Sequence, residues 1–248
     1  MTSKTVNNLD SQKKRARVIL RAISNESDIT NRMQKLADIF VGRPYIANSL
    51  IGGPNEPEEL VVNLKAFDCV TFIESVLALA RGKSPAGFLS GLKEIRYRHG
   101  LVNWASRLHY FSDWMKSNQR RGIVRIRTRG AGSYSIEKTL ADFKGLPART
   151  VRFQIVPKSK VHLARRRIAN GSIVAFASLR SGLDFYHTGL LFFPEISVGS
   201  LKEMVLYHAS RDTKKVVAEP VYDFLKRNRM RGIAFAVPRY PGDVRCHQ

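Results

Sequence analysis

Apolar residues recur at helical spacing along the first half of the chain, then crowd into short β-like runs after Gly171. The densest helical stretch is V-T-F-I-E-S-V-L-A-L-A-R at 70–81, where Val70, Ile73, Val76, Leu77 and Ala80 share one face. Asp68 stands where a cap would accept the free amides of the first turn, and Gly82 can close the far end. Ile29, Met33, Leu36, Ile39 and Phe40 form a second stripe and predict a helix over 29–41, capped by Ser27 or Asp28. Further helices are predicted at 12–23, 88–98 and 222–226, with an aromatic-rich one at 103–117 and a small one at 136–143. Residues 162–168 read as a basic helix or turn.

Strands are predicted at 60–64, at 122–129 with arginines alternating onto one face, and at 151–156. After Gly171 they follow at 172–178, 185–193, 204–210, 215–218 and 232–237. Residues 52–57 and 130–133 are loops by composition. Helices first and an antiparallel sheet afterwards predict an α+β fold. The expected division is an N-terminal helical extension at 1–28 and a single domain at 29–240, with a basic insertion at about 101–170.

Composition narrows the class. A hydrophobic content of 44% over 248 residues supports a normal core and excludes global disorder. Cys69 and Cys246 are the only cysteines, so there is no disulfide framework. No apolar run approaches the ~18 residues of a membrane helix, so no integral membrane segment is expected. Val18-Ile19-Leu20 is too short for the apolar core of a signal peptide. The compartment therefore reads as cytoplasmic for the chain as given. A lost leader or a specialised export route would make it periplasmic or secreted.

Charge adds a partner class. The formal net charge is +22, and residues 101–170 carry 16 Lys/Arg against 3 Asp/Glu. Such a field calls for an anionic partner: nucleic acid, an anionic membrane face or the bacterial wall. A nucleic-acid partner is disfavoured, since no zinc finger, helix-turn-helix or RNA-binding aromatic motif accompanies the arginines at 120–129 and 165–167. No Cys/His cluster has zinc spacing, and no cofactor is implied.

The candidate chemistry starts at Cys69, in the first turn of the predicted 70–81 helix. The helix dipole and the unpaired amides there favour a thiolate, and thus a nucleophile; a buried structural cysteine is the alternative. A nucleophilic thiol needs a base, and the base needs an orienting partner. Of six histidines, His187 in Y-H-T-G and His208 in Y-H-A-S lie inside β-runs that neighbouring strands would bring together.

Several segments together resemble a known family. They are V-G-R-P-Y-I-A-N-S-L (41–50), E-E-L-V-V-N-L-K-A-F-D-C-V-T-F-I-E-S-V-L-A-L-A-R (58–81) and R-L-H-Y-F-S-D-W (107–114). N-G-S-I-V-A-F (170–176), D-F-Y-H-T-G-L (184–190) and L-Y-H-A-S (206–210) complete the set. The sequence resembles the NlpC-type, papain-like cell-wall cysteine peptidases, and more closely their N-acetylmuramoyl-L-alanine amidase-like relatives. The resemblance implies a papain-like domain at 29–240, its nucleophile helix packed on an antiparallel β-sheet. It implies Cys69 as nucleophile, His187 as general base and His208 as the polar residue that orients it. Tyr45 matches a tyrosine near the nucleophile, and Asp68 a substrate-side aspartate that also caps the helix. The Cys69 amide, helped by Tyr45, would hold the oxyanion. For Tyr45 a core aromatic role stays open. Arg107 and Trp114 match cleft residues, with an ordinary aromatic helix and a paired arginine as the alternative.

Ser172 and Thr188 depart from the usual Asp and Val of this pattern. The implied activity is a metal-independent amide hydrolase acting on peptidoglycan or muropeptide fragments. The expected cut is at the N-acetylmuramoyl-L-alanine bond, through a muramoyl thioester. A stem-peptide endopeptidase, an acyl-transfer or lipid enzyme of the same fold, a basic nucleic-acid-binding protein and an inactive wall-binding module remain as alternatives.

Overall fold

The computed structural model describes residues 9–130, 132–194 and 200–239; Cys246 lies outside them. Six α-helices run over Leu9–Ala22 (α1), Ile29–Phe40 (α2), Cys69–Arg81 (α3), Pro85–Arg96 (α4), Phe111–Arg120 (α5) and Val221–Arg227 (α6). The strands are Val124–Ile126 (β1), Tyr134–Leu140 (β2), Arg149–Pro157 (β3), Ser172–Ala177 (β4), Phe185–Phe192 (β5), Val205–Ser210 (β6), Lys215–Pro220 (β7) and Gly232–Pro238 (β8). They form an antiparallel sheet in the order β2-β3-β8-β4-β5-β6-β7, with β1 also paired to β8. The fold is α+β.

Helix α3 is the centre of the packing. Every residue from Thr71 to Ala80 is buried, so this helix has no solvent face. It packs on α2, α4, β5 and β6. Phe67 lies just ahead of it, its ring 4.8 Å from Phe40 and 5.9 Å from Phe72. An ion pair is carried inside: Glu74 accepts from Arg96 at 2.7 Å and also from the Trp114 indole at 3.2 Å. Arg96 also donates to the Val61 carbonyl. Removing either partner would strand a buried charge, at a cost of about 3–5 kcal/mol. At the far end Arg32 reaches the carbonyls of Leu79, Ala80 and Gly82, and also those of Ile23 and Glu26. One guanidinium thus ties the α1–α2 connection to the carbonyls that α3 leaves open.

The same buried cluster holds Ala16, Leu20 and Ile23 from the N-terminal helix and its exit, and Trp114, Leu140 and Phe153 from 101–170. Gln12 of α1 accepts the Leu64 amide at 3.0 Å. Strand β4 is buried on both faces: Ile173, Ala175 and Ala177 face the helices, while Val174 and Phe176 join a smaller core with Phe224 of α6 and Phe235.

Several expected elements differ; the strand expected at 122–129 shortens to Val124–Ile126. Residues 60–64 form no ladder, because the Leu64 amide goes to Gln12 and the Val61 carbonyl to Arg96. The aromatic helix begins at Phe111 instead of 103. Asn103 caps only a short 3₁₀ turn at Trp104–Ser106, and Arg107 and Tyr110 are extended. The small helix expected at 136–143 is strand β2. Ile136 and Leu140 fit either period, but pairing with β3 buries Ile136, Lys138 and Leu140 on one face. Lys138 Nζ is satisfied by the carbonyls of Ser178, Arg180 and Leu183.

Candidate active site

The site is built where the start of α3 meets β5. A two-residue parallel pairing sets its position: Ile46 N–H donates to the Phe67 carbonyl at 2.9 Å, and Phe67 N–H to the Pro44 carbonyl at 3.0 Å. Asp68 then caps α3. Its Oδ1 accepts from the amides of Val70 at 2.9 Å and Thr71 at 2.7 Å, while Thr71 Oγ1 accepts the Asp68 amide at 2.9 Å. This is a reciprocal capping box with threonine as its returning residue, and it fixes Cys69 as the first helical residue.

The backbone amides of Thr188, Cys69 and Val70 lie near enough to the Cys69 sulfur to favour its anion. Thr188 is on β5, directly after His187, so the sulfur lies against the strand segment that carries the expected base. The helix start does not produce a resting thiolate. Burial, followed by the nearby Asp68 carboxylate, pushes the thiol up to about 12, outweighing the three amides that favour the anion.

His187 Nε2 and His208 Nδ1 are 2.7 Å apart, their rings nearly perpendicular. His208 Nε2 in turn lies 2.8 Å from Glu219 Oε1, and Arg227 Nη2 holds both oxygens of that carboxylate at 2.9 and 2.8 Å. The two histidines come this close because of Gly189. A Cβ there would lie 2.7 Å from both Leu206 Cδ1 and the Tyr207 carbonyl, and 3.1 Å from His208 Cβ. Phe176 and Phe224 stack on the His187 ring, and Phe224 also meets His208 edge-on. Burial first, then the neighbouring His208, lowers His187 to about 3. Burial lowers His208 too, opposed by Glu219.

Tyr45 is close enough to Cys69 and Asp68 that both, after burial, raise its phenol. Arg107 is not a free charge. It pairs with Glu58 at 3.0 Å, covers the Trp104 ring at 4.4 Å and is 11% exposed. Trp114, expected in the cleft, is fully buried and stacks on Phe111.

A cleft of about 360 Å³ opens beside Asp68 and Val70, walled by Trp104, Arg107, His109 and Phe143. Its Glu74 is closed on Arg96 and its Arg107 on Glu58, while Asp68 at its edge caps α3. His109 contacts the Trp104 carbonyl at 2.8 Å and is lowered to about 4, chiefly by burial. Its ring lies 4.2 Å from Trp104 and 5.1 Å from Phe143. A strongly basic protein thus presents a largely uncharged, aromatic cleft next to its thiol.

Residues 35–233 match the sequence profile described as AmiA-like, N-acetylmuramoyl-L-alanine amidase-like. The chain belongs to this amidase-like family. Among solved structures it is similar to an N-acetylmuramoyl-L-alanine amidase from Bacteroides uniformis, at 28% identity and a TM-score of 0.74, over 85% of this chain and 99% of that one. A Bacteroides fragilis protein provisionally named a xylanase is 27% identical, with a TM-score of 0.68 over 82% of this chain and 99% of that one. A Legionella pneumophila protein shares the fold over 97% of this chain and 98% of its own, with a TM-score of 0.79 at 20% identity. No curated protein matches the chain.

Within this amidase-like chain, Tyr45 and Asp68 adjoin Cys69, His187 pairs with His208 and directly precedes the Thr188 amide beside Cys69, and Arg107 stands in the cleft wall. Sequence reasoning missed Glu219, Arg227, Trp104 and His109. Glu219 becomes visible only through strand register: Val217 is opposite His208, so Glu219 is its diagonal neighbour on the same face.

Proposed function

We propose that this protein is a cysteine-dependent amide hydrolase of peptidoglycan or muropeptides, with a papain-like, NlpC-type arrangement. It cleaves the N-acetylmuramoyl-L-alanine bond through a thioester. The observation that carries this reading is a helix-start thiol near the Thr188 amide of β5, where the preceding residue, His187, is paired with His208 at 2.7 Å.

The mechanism starts from a neutral thiol and a neutral imidazole. As Cys69 Sγ attacks the lactyl carbonyl, His187 takes its proton through Nδ1, the ring nitrogen not engaged by His208. The tetrahedral oxyanion is held by the Cys69 amide at the start of α3, with the Tyr45 hydroxyl beside it. The His187 imidazolium protonates the departing nitrogen of L-alanine, and the C–N bond breaks to leave a muramoyl thioester on Cys69. His187 then deprotonates a water, which attacks the thioester. The collapsing intermediate expels Cys69, which regains its proton, and the muramic acid leaves as its carboxylic acid.

The choice of bond rests on the cleft. Its paired charges and the Trp104, His109 and Phe143 rings suit an uncharged sugar-lactyl group on the acyl side. An endopeptidase would bring stem-peptide charges there. The basic exterior suits the carboxylates of the departing peptide.

A glycosidase would need two free carboxylates flanking the cleft. Asp68 Oδ1 caps α3, and Glu74 is sealed against Arg96 and Trp114, so this pair does not serve. The +22 charge favours one reading of another class, a nucleic-acid-binding protein. Binding to DNA that persists at 200 mM salt would support it; loss of binding there dismisses it.

The test is digestion of a defined muropeptide by wild type and by Cys69→Ala. Free stem peptide from the first and none from the second is expected. Undiminished product from Cys69→Ala would overturn the mechanism.

A further inference from the structure

We infer that Glu219, held by Arg227, is a positioning residue that sets the tautomers of both histidines and so keeps His187 Nδ1 available as a base. This deepens the proposed function and rests on it.

The argument is one of proton accounting. A neutral imidazole has one donor and one acceptor nitrogen. The His187–His208 contact alone permits two arrangements. In one, His187 Nε2–H donates to His208 Nδ1, and His187 Nδ1 is a free acceptor. In the other, His208 Nδ1–H donates to His187 Nε2, and His187 carries its proton on Nδ1, where it cannot accept one from a thiol. Geometry does not separate them, since both fit the 2.7 Å distance. Glu219 does. A carboxylate only accepts, so His208 Nε2, 2.8 Å away, must carry the proton. His208 Nδ1 is then the acceptor, His187 Nε2 the donor, and His187 Nδ1 is left basic.

Arg227 has a separate part. It is the last residue of α6, seven residues beyond the end of β7, and its Nη2 spans both Glu219 oxygens. The same helix supplies Phe224 against both imidazoles. The charged groups acting on His208 are Glu219 and Asp212, which favour its cation, and Arg227, which opposes it. With Arg227 in place the carboxylate orients His208 without charging it. A charged His208 would put a proton on Nδ1 and remove the acceptor that His187 needs.

The test reads the tautomers directly. Long-range ¹⁵N–¹H spectra of the full chain should show His187 and His208 both protonated on Nε2 at pH 7. In Glu219→Gln, whose amide can also donate, the His208 proton should move to Nδ1 in a substantial fraction of molecules. In the same variant kcat should fall about ten- to a hundredfold with KM within about twofold, while Glu219→Asp recovers most of the loss. Arg227→Met should bring a new acidic limb into the pH profile of kcat as His208 becomes easier to protonate. Nδ1–H on His208 in the wild type would overturn the inference, as would wild-type tautomers and kcat in Glu219→Gln. If Glu219→Gln does not fold, the wild-type spectrum decides alone. Activity surviving in Cys69→Ala would sink the hydrolase reading and leave the tautomer result standing.

Discussion

At the scale of single residues, Cys69 rests as a thiol. Three nearby amides favour its anion, yet burial and Asp68 raise it to about 12, and His187 is lowered to about 3. Neutral forms of both are therefore favoured at rest, and in the proposed mechanism the proton would move as the sulfur attacks. Iodoacetamide should alkylate Cys69 in a Cys246→Ser background slowly at pH 7, with a rate still climbing above pH 9. A reactive limb near pH 4–6 would instead reveal a preformed thiolate–imidazolium pair. The capping aspartate could be read from the Asp-Cys dipeptide, because a cap acts within three residues of itself. The resting protonation could not. It depends on how deeply the sulfur is covered by β5, which is more than a hundred residues away in sequence.

At the scale of elements, two glycine-and-charge devices hold the site. Gly189 keeps β6 close enough for the histidines to touch, so Gly189→Ala should cost about 1–3 kcal/mol of stability and lower kcat more than it raises KM. Denaturant midpoints and steady-state kinetics check it; wild-type values for both would contradict the role. Arg96→Met leaves Glu74 buried without its partner and should cost about 3–5 kcal/mol, read from urea unfolding. Elements with a single strong period were legible from sequence: α2, α3, and the strands from β4 to β8. Helix α4 starts three residues earlier than expected, where Ser84 caps it and Pro85 takes the first turn. Residues 60–64 and 136–143 misled because their partners decide them. Gln12 and Arg96 take the backbone groups of the first, and β3 claims the second. Glu219 stayed hidden for the same reason, since only register relates it to His208.

At the scale of the whole molecule, the protein combines a strongly positive net charge with three buried or half-buried histidines that are held neutral. His109 goes from 6.5 to about 4 and His187 to about 3, and His208 is lowered as well. A histidine with a depressed folded-state pKa binds fewer protons folded than unfolded. Stability is therefore lost as pH falls from about 6.5 towards these values. The buried carboxyls Glu74 and Asp184 are raised and act in the opposite sense. Comparing urea midpoints at pH 7 and pH 4.5 for wild type and His109→Gln isolates one histidine's share. The variant should lose less on acidification; equal losses would contradict the assignment.

Separation of charge from cleft also explains why composition pointed to polyanions while the residues around Cys69 point to an uncharged acyl group. That contrast leads to the decisive measurement: mass spectrometry of the products from a defined N-acetylmuramoyl-peptide, with the acyl-enzyme trapped by rapid acid quench. The account predicts an intact stem peptide with a free L-alanine amine, and a muramoyl adduct on Cys69. Cleavage inside the stem peptide, or a peptidyl adduct on Cys69, would contradict it.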